Sequence, residues 1–526
     1  MDTSLLLHSR RWWWRARNDW QGLAAVFGLA TGLAALAMTL GWRGSDLPAQ
    51  VFRTELFRQD GFVLWNSQWF GGHATLAYSV LSPVLSSLTG PVLLGAVGGV
   101  ISAVLFERIL RVGFGRSSLF AALWFASSTV TNLVVGRITF SLGLAFGFGA
   151  VLALQRKHVV IAAACALLCS LASPLAGLFL GVGAAACAIA DRPRRLTALV
   201  TTAAALAPIA AITLLFHSPG SEPYEPWALS WDLAICAGVF MFVPKHHSVI
   251  RWGAALFSGL AVFAFLFPSP LGGNVSRFDQ YIAGPVLICA LLPKRRALVA
   301  LITLPMMLWQ WFPAVDGIAF AQHDLSTKRA YYAPLLSYLD TQPRSLGRVE
   351  IPPTYRHWEA AYAAPTIALA RGWERQLDIG YNPIFYSARL TADAYRTWLS
   401  DNAVQYVALP DARLDDSALA ERDIMERGTP YLRPIWHDAH WRVWRFTGYR
   451  GLVDGPGVMT DLSADRFVLN ASSPGTLVVR VRASTHWALR GEGCVEATDD
   501  GWTQVRVDVP GVVEVVQALR GTPCAG

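Results

Sequence analysis

The sequence predicts an α-helical polytopic membrane protein with about eleven transmembrane helices and a C-terminal extracytoplasmic region, an α/β unit followed by a β-sandwich-like unit. Three observations carry this. First, 53% of the 526 residues are hydrophobic and 15% charged, too apolar a composition for a soluble chain of this length. Second, up to about Pro313 long apolar runs alternate with short basic punctuation. From Asp324 onward charged, aromatic and turn-forming residues mix as they do in soluble domains, so the boundary falls near 314–326. Third, much of the positive charge is clustered between apolar runs: Arg10, Arg11, Arg15 and Arg17; Arg108, Arg111 and Arg116; Arg156 and Lys157; Arg192, Arg194 and Arg195; Lys245 and Arg251; Lys294, Arg295 and Arg296. Short cytoplasmic loops retain positive charge in this way. The formal net charge of +8 therefore needs no nucleic-acid partner.

A hydrocarbon core of about 30 Å takes about 20 helical residues. Runs of about that length fall at 20–42, 89–110, 117–135, 139–154, 158–173, 174–190, 196–216, 231–244, 252–268, 281–293 and 297–313, several of them short. With residues 1–19 as a cytoplasmic basic N-terminus, an odd count places the C-terminus outside, and every basic cluster falls on the cytoplasmic side. The protein is expected in the plasma membrane, with a transmembrane domain at 20–313 and an outer loop at 43–88. The first apolar run exceeds a signal-peptide core and leads into Gly41-Trp42-Arg43 rather than a small-residue cleavage site, so it reads as an anchor.

Residues 314–447 pair helical stretches such as Thr391 to Asn402 with strand-like runs at Val404 to Leu409 and Trp441 to Phe446, which predicts a small α/β unit. In 448–526, alternating runs at Leu477–Val481, Val505–Val509 and Val512–Val516 are separated by turn residues and predict a small antiparallel sandwich. Cys165, Cys169, Cys187, Cys236 and Cys289 lie in apolar runs and read as small buried hydrophobes without metal-ligand spacing. Cys494 and Cys524 lie in the soluble region, where an oxidising compartment allows a disulfide; the position of Cys524 so near the end of the sequence leaves pairing and free thiols both open.

The first outer loop holds the most informative stretch. Residues 47–59 can form an amphipathic helix on the membrane surface, with Val51, Leu56 and Phe57 as apolar contacts. Asp46 falls just after the first span. A carboxylate there can take a proton from an attacking hydroxyl while a lipid-linked substrate enters from the bilayer. Asp before Pro at a helix start is also an ordinary cap. Trp65 and Trp69, at i and i+4, suit either a sugar-stacking platform or interfacial anchoring, which the spacing alone favours. Asn66, His73, Glu222 and Glu225 either line the same outer cavity or are solvated loop residues.

This loop, the Gly136-Arg137-Ile138-Thr139-Phe140-Ser141-Leu142-Gly143 stretch, Ser173-Pro174, and Gly273-Asn274-Val275-Ser276-Arg277-Phe278 together resemble bacterial polytopic membrane proteins of the glycosyltransferase C (GT-C) superfamily. The resemblance is to the branch labelled 6-pyruvoyl-tetrahydropterin-synthase-related membrane proteins and to actinobacterial membrane proteins. It covers the membrane region and, more loosely, Tyr406 to Pro410, and rests on order and topology rather than on one motif. It implies a GT-C-like fold that transfers a sugar from a polyprenyl-phosphate donor to an envelope glycan acceptor on the outer face. It also implies an acidic catalytic base in the first outer loop, a position that Asp46 matches. Many members carry a second acid close by. Here the nearest are Glu55 and Asp60, a departure that leaves no assigned metal; the lipid-linked sugar is a substrate rather than a cofactor.

Arg137 and Arg277 fall near the outer ends of spans, where an arginine needs water, a carboxylate or a phosphate. The guanidinium fork suits a lipid phosphate; snorkelling or an ion pair, with Asp279 as a candidate partner, is the alternative. In the tail, Arg356-His357-Trp358-Glu359 and the run from Arg371 to Asp378 concentrate indoles and charges that bind carbohydrate or build salt-bridged folds; Trp358 and Glu359 are the best placed to face an acceptor. The leading expectation is an inverting, lipid-linked sugar transferase of the cell envelope. A transporter or flippase would also need membrane-embedded charge, although no repeat joins two halves of the membrane region. A non-catalytic scaffold that binds envelope glycans is the third reading.

Overall fold

The computed structural model describes the backbone of residues 3–216, 218–291, 296–319, 323–342, 347–387 and 390–524, and their side chains except at 3–19, 116 and 117. Lys294 and Arg295, and the side chains of Arg10, Arg11, Arg15, Arg17 and Arg116, lie outside the described residues. Among the described residues the helices are α1 (Thr3–Thr39), α2 (Leu47–Asp60), α3 (Leu81–Thr89), α4 (Pro91–Phe114), α5 (Leu119–Val135), α6 (Ile138–Gln155), α7 (Val159–Ala172), α8 (Pro174–Ala190), α9 (Arg195–Leu215), α10 (Pro226–Phe242), α11 (Ser248–Leu266), α12 (Gly284–Leu291) and α13 (Arg296–Ala319). Then follow α14 (Arg329–Asp340), α15 (Glu359–Tyr362), α16 (Arg375–Tyr381), α17 (Ala392–Asp401) and α18 (Leu419–Arg427). The chain forms two compact units: Met1–Gly44, Ser79–Leu214 and Glu222–Ala321 make the first; Ser45–Tyr78, Leu215–Ser221 and Gln322–Gly526 make the second.

Unit 1 is helical. Among the described residues six helical stretches are long and apolar enough to cross a membrane: Trp20–Thr39, Pro91–Phe114, Ile138–Gln155, Arg192–Leu215, Ser248–Leu266 and Arg296–Ala319. Leu119–Val135, Val159–Ala172, Pro174–Ala190 and Pro226–Phe242 are apolar but shorter. The expected spans overlap helices among the described residues; the tenth, expected at 281–293, falls on a π-turn at Asp279–Ala283 running into α12, with 292 and 293 outside the described residues. The chain is therefore a membrane protein of many apolar helices.

Small residues let these helices approach closely. A Cβ at Gly143 would sit 2.7 Å from that of Ala176, and one at Gly98 would come within 3.1 Å of the Ser141 backbone. Polar groups tie the same helices together. Trp124 of α5 donates to Gln310 of α13 at 2.7 Å, and Ser170 of α7 donates to the Ala205 carbonyl of α9 at 2.6 Å. Ser173 breaks α7 from α8 and caps the latter by accepting from Ala176 N, with Pro174 in the first turn where its missing N–H costs nothing. Asp232 of α10 is buried and accepts from Ser276 at 2.7 Å and from Tyr224.

In unit 2 the strands are β1 (Trp65–Asn66), β2 (His73–Ala74), β3 (Arg348–Glu350), β4 (Val404–Pro410), β5 (Leu432–His437), β6 (Trp441–Phe446), β7 (Val453–Asp454), β8 (Gly457–Leu462), β9 (Arg466–Ala471), β10 (Gly475–Arg482), β11 (Trp487–Arg490), β12 (Gly493–Ala497), β13 (Trp502–Val507) and β14 (Gly511–Gln517). One sheet has the order β3-β4-β6-β5, with β3 parallel to β4 and the other pairs antiparallel. Every residue of β4 is buried, as a central strand covered on both faces requires. Tyr395, Trp398 and Leu399 of α17 and Ile424 and Met425 of α18 pack against Val404, Val407 and Leu409. Two further antiparallel sheets, β12-β13-β10-β7 and β11-β14-β9-β8, share one core. The alternation in β10 points Leu477, Val479 and Val481 inward, with Leu477 opposite Val505. Cys494 and Cys524 form a disulfide.

Two local expectations are corrected. Of the apolar contacts expected on α2, Leu56 is buried within unit 2 while Val51 and Phe57 are half-buried; its other buried residues include Phe52, stacked on Trp69 at 4.0 Å, and Arg53, paired with Glu374. Packing within unit 2 is the reason. Trp65 and Trp69 share no helical face, because β1 and β2 form a short hairpin, Trp65 opposite Ala74 and Asn66 opposite His73.

Candidate functional site

Within unit 2, Asp46 stands at the N-cap of α2 with Pro48 in the first turn. It is half-buried, and its side chain makes no capping hydrogen bond. The position is that of a cap while the carboxylate does not cap. The backbone before it is fixed by Trp373, whose Nε1 donates to the Ser45 carbonyl at 2.6 Å. The Trp373 ring lies flat on His357, with centroids 3.3 Å apart and planes 6° from parallel.

His357 has a left-handed backbone at φ 57°, which a non-glycine residue keeps only when its surroundings hold it there. Its Nε2 is 3.5 Å from Asp415 Oδ2 and its Nδ1 is 3.6 Å from Glu359 Oε1. Burial alone would lower the His357 pKa, but the two carboxylates outweigh it and hold the value above that of an ordinary histidine. Burial opposes ionisation of Asp415 too, yet His357, and Arg375 at 2.7 Å, hold its carboxyl well below the usual carboxylate range. Glu359 also accepts from Thr354 at 2.6 Å. A buried imidazole between two carboxylates thus backs the indole that holds Ser45, and with it the start of α2.

A second cluster anchors the outer-loop hairpin. Asn66 Oδ1 accepts from Gln68 N and Trp69 N at 3.2 and 3.3 Å, and its amide nitrogen reaches the His73 ring. Trp69 donates to the Ala360 carbonyl at 3.1 Å, and the Arg53 guanidinium lies 4.0 Å over the Tyr78 ring. Burial, reinforced by the charge of Arg53, pushes the His73 pKa down to about 3, so this imidazole is neutral at physiological pH.

Trp69, His73, Asn66, Trp358 and Glu359 are 0–4% exposed, their surfaces taken up by protein neighbours. Trp358 stacks on Tyr362 at 4.9 Å. Trp65 differs. It is half-buried, held through its backbone by Gln517, and its indole N–H meets no acceptor among the described residues. Arg137 and Arg277 lie in unit 1. Arg137 follows the left-handed Gly136 that ends α5 and serves as the N-cap of α6; Arg277 follows the 3₁₀ turn Gly272–Ser276, and both are half-buried. Among the described residues there is no group of three or more His, Cys, Asp or Glu that could hold a metal ion.

Sequence reasoning missed the Arg53–Glu374 pair and the His357–Asp415–Arg375 array. The charge density around Arg356–Glu359 and Arg371–Asp378 was the available signal, since buried charges must be paired.

At this level the fold defines a multi-helix membrane protein carrying an α/β sheet and a β-sandwich. No family model matches the chain, and no curated protein does. Among solved structures it is similar to the single-particle cryo-EM structure of the arabinofuranosyltransferase AftD from mycobacteria, at 15% identity and a TM-score of 0.45, with 94% of this chain and 57% of that chain covered. The chain therefore spans a little over half the length of that protein.

Proposed function

We propose that the protein is a membrane glycosyltransferase that moves a sugar from a polyprenyl-phosphate donor to a cell-envelope glycan on the outer face, with inversion. The observation that carries this reading is Asp46: a carboxylate soon after the first apolar helix, not used as a cap, on a backbone clamped through Trp373. In the proposed reaction the Asp46 carboxylate takes the proton of an acceptor hydroxyl as its oxygen bonds to the anomeric carbon. The bond from that carbon to the phosphate oxygen breaks, and polyprenyl phosphate leaves with the electron pair. Arg137 and Arg277 would hold that phosphate, since guanidinium groups bind phosphate through paired donors. Trp65 is the aromatic residue proposed to meet the sugar, because its N–H is without a protein acceptor among the described residues. Trp69, Asn66, His73, Trp358 and Glu359 are proposed to act through position, supporting the loop.

The test is transfer by the purified protein in lipid from a panel of polyprenyl-phosphate sugars to envelope glycans. Product with inverted anomeric configuration is expected from one donor. If no donor in the panel is consumed, the transferase reading gives way to the transporter and scaffold readings.

A further inference from the structure

Unit 1 contains a cavity of about 500 Å³ that the proposed chemistry does not use. Its walls come from α4, α6, α8, α11 and α12, with Phe106, Leu144, Phe148, Phe179, Leu180 and Val286 among the apolar lining. Along α6 the lining runs from Gly143 to Gln155, about 18 Å at about 1.5 Å of rise per residue. The cavity is thus a slot between helices, long for its volume and suited to an extended hydrocarbon chain.

The slot is polar at one end only, where Gln155, Asp191, Arg194, His246 and His247 line it. Arg194 bonds Asp191 at 2.5 Å and the Gln155 carbonyl at 3.1 Å, which holds the guanidinium at the mouth. The side-chain oxygen of Gln155 is buried and meets no donor among the described residues. The segments that join the helices at this end carry Arg156, Lys157, Arg192 and Lys245, and the first turns of α9 and α11 add Arg195 and Arg251, against Asp191. This end lies at the far end of α6 from Arg137, so the mouth is not the proposed phosphate site of the donor.

We propose that the slot holds one acyl chain of an anionic glycerophospholipid, with the headgroup phosphate at Arg194 and the surrounding basic loops. Apolar walls closed by a cationic rim select an amphiphile with a negative head. A headgroup hydroxyl would satisfy the Gln155 oxygen. The proposal does not depend on transferase activity.

Gly183 of α8 provides the test, because it lines the slot and a Cβ built there meets nothing within 4 Å. Gly183→Phe should fill the slot without displacing the helices. Lipid-stripped full-length protein in detergent is titrated with phosphatidylglycerol and with phosphatidylcholine and read by native mass spectrometry. The wild type is expected to retain one phosphatidylglycerol at least tenfold more tightly than phosphatidylcholine, with the preference reduced in Arg194→Gln. Gly183→Phe is expected to lose the bound lipid while keeping the lipid-free melting temperature. Equal retention in Gly183→Phe, equal affinity for the two lipids, or displacement by polyprenyl phosphate would overturn the proposal. Should Gly183→Phe fail to fold, phosphatidylglycerol with a photoreactive acyl chain decides on the wild type. Labelling of α6 between Gly143 and Gln155 or of α8 near Gly183 supports the slot, and labelling confined to α9 and α13 refutes it.

Discussion

At Asp46 the structure separates two roles that a carboxylate before proline combines. A capping aspartate accepts from a backbone N–H in the first turn, and this one does not. Asp46→Asn keeps the shape and cannot accept the proton. Its expected effect is a loss of transfer of roughly 10²–10⁴-fold, typical of general-base catalysis, with little change in melting temperature; near-normal activity would move the base to Glu55 or Asp60. A second prediction concerns Glu421. Arg371 bonds Asp378 at 2.5 Å and lies 3.4 Å from Glu421 and 3.8 Å from Glu350, so one guanidinium faces three buried carboxyls. Burial pushes Glu421 up to about 7 against the opposing pull of Arg371, and raises Glu350 well above its ordinary value, with the charge of Glu421 adding to that rise. A glutamate in the unfolded chain titrates near about 4.3. Between these values the folded state binds the extra proton, so this contribution to stability is fully present below the unfolded pKa and is lost as pH rises through about 7. His73 works the other way, stabilising above about 6.5 and losing that contribution as pH falls toward about 3. The melting temperature of Glu421→Gln should therefore fall less between pH 5.5 and 8 than that of the wild type, on the order of one proton's worth of slope. Parallel curves would refute the assignment.

Among the elements, the Cys494–Cys524 bridge closes a 30-residue separation and ties the last described segment to β12, where Val495 N also bonds the Thr522 carbonyl at 2.8 Å. By loop entropy such a bridge is worth roughly 3–4 kcal/mol. Replacing both cysteines with serine should lower the stability of the sandwich by about that amount and expose 518–524 to limited proteolysis, whereas two free thiols in freshly purified wild-type protein would show that the bridge does not form in the cell. Legibility follows the range of the interactions. The apolar helices and β4 were readable because their signal is local: length and hydropathy for the helices, and a run from Val404 to Leu409 for the strand. The setting of α2 was not, because Arg53 is balanced by Glu374, more than three hundred residues away in the chain, and no periodicity reports such a partner. The Trp65–Trp69 spacing misled for a nearer reason. Asn66 bonds the backbone of the next residues and Gly71 and Gly72 take positive φ, turn chemistry that overrides an i, i+4 reading. The function of Asp46 stayed ambiguous in the sequence because capping and proton transfer call for the same residue at the same place.

For the molecule as a whole, the placement of charge along the apolar chain predicts its orientation. Arg194 bonds the Gln155 carbonyl at 3.1 Å, and Gln155, Asp191, Arg194, His246 and His247 line one cavity, so the segments joining α6 to α7, α8 to α9 and α10 to α11 share one end of the bundle. These carry Arg156 and Lys157, Arg192 and Arg194, and Lys245. The α5–α6 turn with Arg137 and the segment before α12 with Arg277 fall at the other end. Transferring positively charged loops across the membrane is disfavoured, which places the first end in the cytoplasm and the second outside. On this prediction the chain after α13 is expected outside, where an oxidising compartment would account for the Cys494–Cys524 bridge. Paired fusions test this directly: a phosphatase active only outside the cytoplasm and a fluorescent protein that matures only inside, each joined after Arg195 and after Asp340. Fluorescence is expected at Arg195 and phosphatase activity at Asp340. The same signal at both positions would leave an even number of crossings between them and sink this topology. The reverse pattern would invert the membrane orientation and place Asp46 on the cytoplasmic side, where an outer-face transfer reaction has no substrate.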